Sequence, residues 1–367
     1  MPQSQRFSTA LLSGSSIALA FVLAYALHLE RPYWAGIAAM VISQSAQGQS
    51  LQKGLWRMVG TVAGAVAGMA VLACFGEART PLLAACGVIL AVLVMLMHGS
   101  SFRYFYYSTA LMLVLTVAQS HGEAPFRMAC ARMEENLAGI AAYTLCALCL
   151  RPQAASREIG ELNSFGRGVL DELIRLGPAF TARDARVRAL VADRLRAGAQ
   201  AVLALALLVL IWQELAPAGT ESTLFIEIGS LLVLLGFFSG RFSAWELLFS
   251  FAAGMAAALA LYCAVLPALR GAGELAAAIF ALSFSMAWFL PEPEQGMARM
   301  GLLMPVFVLS GMGGLHFSPQ GLLSGGVGLM CAALAAVLMF TIVDPSERRA
   351  GPETGDATSV KEDAHAA

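Results

Sequence analysis

Apolar runs follow one another along almost the whole chain, broken at short intervals by charges, proline and glycine, and this leaves few folds open. Most runs approach the ~20 residues that a helix needs to cross a bilayer. Inside lipid every backbone N–H and C=O must be satisfied within the protein, so only helices and closed barrels can span. The runs lack the alternate-residue polarity of barrel strands, which leaves helices. A mean hydropathy of +0.71, with 58% hydrophobic and 13% charged residues, excludes an ordinary soluble domain.

Twelve candidate spans result, at 9–28, 33–46, 58–75, 81–98, 104–119, 133–150, 197–213, 222–239, 243–266, 273–290, 300–315 and 320–342. The segment 33–46 is short, so it is expected to be tilted or partly re-entrant and enclosed by protein. The expected fold is an all-α polytopic membrane protein with two six-helix halves, residues 1–150 and 197–343. A cytoplasmic helical linker, 151–196, joins them, and a polar tail at 344–367 is expected to be disordered. In the linker, Ile159, Leu162, Phe165, Val169, Leu173 and Leu176 recur at spacings of three and four, the mark of an amphipathic helix. Its apolar stripe needs a partner, either the 185–195 helix or a second copy of the chain. A linker hairpin is preferred to a regulatory module, and a homodimer is compatible with it.

The halves read as weak repeats. Trp56 precedes Val62-Ala63-Gly64 in the first; Gly240-Arg241-Phe242-Ser243-Ala244-Trp245 precedes Phe251 and Gly254 in the second. Six spans per half make the repeats parallel, about an axis along the membrane normal. Repeat interfaces near the midplane are where transporters tend to bind substrate.

Lysine and arginine set the orientation. With both termini cytoplasmic, 18 of them fall inside and 5 outside (Arg31, Arg79, Arg127, Arg132 and Arg270). Arg6, an apolar run and Ala24-Tyr25-Ala26 imitate a secretory signal. The run is long for that role, so it is read as the first span.

The stretch from Glu30 to Gly68 is more specific. Pro32-Tyr33-Trp34-Ala35 opens the short segment; a polar elbow with Gly48, Lys53 and Arg57 follows; Gly60, Thr61 and Gly64 then begin a span. This arrangement resembles the fusaric-acid-resistance and aromatic-acid-exporter family of bacterial inner-membrane proteins, which includes the p-hydroxybenzoic acid efflux pumps. The resemblance covers roughly the first 150 residues and is topological beyond them. Family members usually carry a larger cytoplasmic region between the halves than this chain has. The resemblance implies efflux of aromatic acids from the bacterial inner membrane, with a periplasmic adaptor protein as partner.

Several residues are candidates for the chemistry. Lys53 and Arg57, one helical turn apart on the cytoplasmic side, can attract a carboxylate, and arginine offers it a two-pronged donor. Positive-inside anchoring explains the same charges without a substrate. Tyr33 and Trp34 suit an interfacial belt, as do Tyr104, Tyr106 and Tyr107. The first two also lie in the family-like motif and can stack on an aromatic substrate. Ser43, Gln44 and Gln47 add polar groups nearby. Ionisable residues within spans are functional candidates by default, and Glu227 is the first choice for a proton relay. Arg132 and Glu135, where the sixth span begins, are the second; a satisfied pair at the membrane surface is the plainer reading. Gly60, Gly64 and Gly68 form a smooth face for helix packing.

No enzyme motif, metal cluster or cofactor signature stands out. Cys146 and Cys149 form a CxxC with no second pair, and on a span they read as packing residues. The basic linker lacks interleaved aromatics, which argues against nucleic acid. The leading expectation is a proton-coupled exporter of small organic anions, embedded in membrane lipid. An anion channel, like the distantly similar plant malate channels, and a non-transporting scaffold are the alternatives.

Overall fold

The computed structural model describes residues 3–43, 50–76, 78–97, 100, 102–118, 125–152, 194–207, 210, 244–269, 271–292, 295–311, 330 and 334. Gln44, Glu227, linker residues 153–193, the expected span 222–239, nearly all of 320–342 and the tail lie outside them. Among the described residues every regular element is helical. In chain order they are α1 (Gln3–Ala26), α2 (Pro32–Ser43), α3 (Ser50–Phe75), α4 (Arg79–Met97), α5 (Arg103–Ala118) and α6 (Pro125–Leu150). Then come α7 (194–207), α8 (Ala244–Ala260), α9 (Ala272–Phe289) and α10 (Gly296–Gly311). Gln3–Ala26, Gly54–Phe75 and Leu248–Val265 are long and apolar enough to cross a membrane, by length and composition. Valines 59, 62 and 66 of α3 and valines 88 and 92 of α4 are exposed. Such rows suit lipid better than water. The architecture is that of a helical membrane protein.

Local chemistry sets the ends of the key helices. His28 sits at φ 54°, with its N–H donating to Tyr25 O and the Leu29 N–H to Ala24 O, a Schellman closure of α1. The chain turns there and starts α2 at Pro32. Proline suits a first helical position, where its missing N–H costs nothing. Pro125 starts α6 in the same way. Two helices therefore begin about two turns earlier than their apolar runs: α3 at Ser50 rather than 58, α6 at Pro125 rather than 133. From Ser50 onward the polar elbow is the first part of a helix.

With twelve residues, α2 is about 18 Å long, well short of a ~30 Å hydrocarbon core. Every residue from Pro32 to Ile42 is buried, between α1, α6 and α10. The short segment is enclosed by protein, as its length requires.

Without a hydrophobic drive between helices in lipid, association depends on close contact. α3 lies along α5 through its three spaced glycines. A Cβ on Gly60 would stand 2.6 Å from Phe105 O, one on Gly64 would press on Thr109 O, and one on Gly68 would meet the Thr116 side chain. The packing role expected for these glycines is the one they have. α8 meets α10 similarly, Gly254 against Gly301 O and Leu302 O. Elsewhere Gly14 of α1 lies against Phe280 and Phe284 of α9, and Gly198 of α7 against Ala91 O and Met95 of α4. The main core runs through α1, α2, α5 and α10, with Phe21 and Phe307 edge to face at 5.4 Å.

Candidate functional site

Against this apolar background, α3, α5 and α6 bring a compact polar group together beside the amino end of α2. Arg57 lies about 10 Å along α3 and is 2% exposed. Its Nε donates to Asn136 Oδ1 of α6 at 2.7 Å, and Nη1 makes a longer contact, 3.4 Å, with the Tyr104 hydroxyl of α5. Asn136 Nδ2 donates to Thr61 Oγ1 at 3.2 Å, and the Thr61 hydroxyl donates to the Arg57 carbonyl. One turn before Asn136, Arg132 pairs with Glu135 at 2.5 Å, both side chains almost fully buried. The second Glu135 oxygen accepts the Arg31 N–H at 3.0 Å, immediately before α2. That is the positive end of a helix dipole, which favours a carboxylate. The Arg132 guanidinium lies 4.6 Å from the centre of the Trp34 ring, within cation–π range.

These groups surround a cavity of about 20 Å³. Trp34, Arg57, Thr61, Arg132 and Asn136 line it with Ser108, Leu111, Met112 and Leu115 of α5. Such a volume admits a water molecule and no aromatic ring. Trp34 Nε1 and Ser108 Oγ are buried without a hydrogen-bond partner among the described residues. Arg57 makes no ion pair with any described carboxylate. A buried charge without a counter-charge costs several kcal/mol, so this geometry favours an anion.

Four sequence candidates meet here: Trp34, Arg57, Arg132 and Glu135. Tyr33 packs beside Trp34, ring centres 5.7 Å apart, and is itself 2% exposed. Two expectations need correcting, and a third is refined. Arg57 does not lie in an elbow before the third helix but within that helix, because α3 starts at Ser50, and it is buried in the bundle. Arg132 and Glu135 do form a satisfied ion pair, which α6, starting at Pro125, places about two turns within the helix and buried among its neighbours. Tyr33, Trp34, Tyr104 and Tyr107 are buried, not belt residues. Lys53 is in α3, but its side chain, like Gln44 and Glu227, lies outside the described residues. Asn136 and Ser108 escaped the sequence reading. Their signal was a polar side chain inside an apolar run, one turn from Arg132 in the first case.

A family model described as the fusaric acid resistance protein family matches residues 10–203, just over half of the chain. No curated protein and no solved structure matches.

Proposed function

Because the chain belongs to the fusaric acid resistance protein family, whose members serve membrane transport and efflux, we propose that it exports small organic anions, aromatic carboxylates foremost. The observation that carries this reading is Arg57. It is buried, has no carboxylate partner among the described residues, and shares a cavity with Arg132. In this reading a carboxylate lies between the two guanidinium groups, where donors are two-pronged and water is scarce. Trp34 contributes its buried indole N–H, since Arg132 lies over its ring. Leu111, Met112 and Leu115 offer the apolar wall that an aromatic ring needs. Tyr33 positions Trp34, and Lys53 and Gln44 are the proposed further contacts of the anion as it enters from the cytoplasm.

The cavity as it stands admits only water, which fits a closed state between two openings better than a standing pore. Substrate then enters when α5 moves away from α6. Paired glycine contacts support the proposed twelve-span arrangement in two parallel six-helix repeats. The third span meets the fifth in both halves, as α3 with α5 and α8 with α10. The first span of each half meets the fourth of the other, as α1 with α9 and α7 with α4. We place the protein in the bacterial inner membrane with both termini cytoplasmic, from the lysine and arginine distribution. A periplasmic adaptor protein and a second copy of the chain are the proposed partners.

Proton influx through Glu227 is the proposed driving force, with the Arg132–Glu135 pair answering to the anion. Glu227→Gln should abolish export driven by a pH gradient in proteoliposomes while the protein stays folded. Full activity in that variant removes Glu227 from the mechanism. Large unitary anion currents that ignore the pH gradient, recorded across bilayers, would replace the exporter with a channel.

A further inference from the structure

We infer that the cavity is built for singly charged anions and that Glu135 is the residue that sets this charge. The inference rests on the anion-binding reading above. The cavity walls carry two guanidinium groups, Arg57 and Arg132, and no carboxylate among the lining residues. Glu135 stands behind Arg132 and neutralises it, held in place by the Arg31 N–H at the amino end of α2. The other described charged side chains on α3, α5, α6 and at the start of α2 do not line the cavity. Glu134 and Arg103 are exposed, Arg127 pairs with Glu30 at the surface, and Arg31, half-buried, is not in the cavity wall. Among the lining residues, α2 and α5 contribute no charged side chain.

The described site thus carries one net positive charge. A monocarboxylate brings it to neutrality. A dicarboxylate leaves one negative charge uncompensated in a poorly solvated place, which is costly. Glu135→Gln keeps the shape and an oxygen for the Arg31 N–H but leaves two positive charges, the balance for a dianion. Asn136→Asp does the reverse: it places a carboxylate on Arg57 Nε, 2.7 Å away in the native pair, and cancels the charge that receives the anion.

The test is equilibrium binding of benzoate and phthalate to the full chain in lipid nanodiscs at neutral pH. Folding of each variant is followed by thermal unfolding. The native protein should prefer benzoate over phthalate by about tenfold or more, as expected for one unbalanced buried charge. Glu135→Gln should lose that preference by gaining phthalate affinity, a gain that mere structural damage does not produce. Asn136→Asp should lose benzoate binding. If Glu135→Gln does not fold, Asn136→Asp decides alone: retained benzoate binding overturns the inference. A folded Glu135→Gln protein that gains no phthalate affinity also overturns it. Binding of neither anion by the native protein would instead remove the anion site itself, and with it the reading on which this inference rests.

Discussion

On α3, Gly60 presses on Phe105 O of α5; on α8, Gly254 presses on Gly301 O of α10. Taking these contacts as equivalent points, the two seams diverge at once. Three residues before Gly60 is Arg57; three before Gly254 is Phe251, 0% exposed and in the core. Tyr104 and Ser108, flanking Phe105, correspond to Met300 and Met304 flanking Gly301. Both methionines are buried. At these equivalent positions the same backbone approach carries polar, charged side chains on one seam and apolar ones on the other, although α10 also buries a charge, Arg299, two residues before Gly301. Close packing through glycine is scaffold, and the residues one turn along decide whether a scaffold becomes a site. The family match, at residues 10–203, falls on the seam that carries Arg57.

The comparison can be broken most forcefully at the equivalent positions 251 and 57. Phe251→Ala empties a filled core position and should cost about 3–5 kcal/mol of stability, read from unfolding in detergent. Arg57→Met should leave stability unchanged or raise it by about 1 kcal/mol, because it removes a buried charge while keeping volume. Equal losses at the two positions would mean that Arg57 is a structural residue like Phe251. Next in size are the glycines themselves. Gly64→Ala and Gly254→Ala should each cost about 1–3 kcal/mol, since both added methyls meet backbone oxygen. Gly273→Ala, with nothing within 4 Å of its Cβ position, is the neutral control. A large loss at only one of the two seams would break the equivalence. The smallest effect belongs to Thr61→Val, which removes the hydroxyl that accepts from Asn136; about 1 kcal/mol is expected.

Much of the frame was legible in the sequence because lipid imposes it. Apolar length marked most helices, the shortness of 33–46 announced a segment enclosed by protein, and the glycine spacing at 60, 64 and 68 announced a packing face. The site was legible only in part. Helix starts were placed where the apolar run begins, whereas Ser50 and Pro125 start helices two turns earlier, inside polar sequence. Charges that looked like residues at the ends of spans are buried well inside helices: Arg57 on α3, Arg132 and Glu135 on α6. An arginine near a span end reads the same whether it anchors to lipid headgroups or turns inward. Only the partner, here Asn136 at 79 positions' distance, separates the two readings. Hydropathy averages hide such a residue, since one asparagine barely changes an apolar window.

The central claim is that the cavity between α3, α5 and α6 binds an organic anion through Arg57. Benzoate binding to the native chain and to Arg57→Met in nanodiscs, both shown to be folded, tests it directly. The account predicts saturable binding to the native protein and a loss of about a hundredfold in the variant, as for removal of a buried charged partner. Unchanged benzoate affinity in a folded Arg57→Met protein would contradict it.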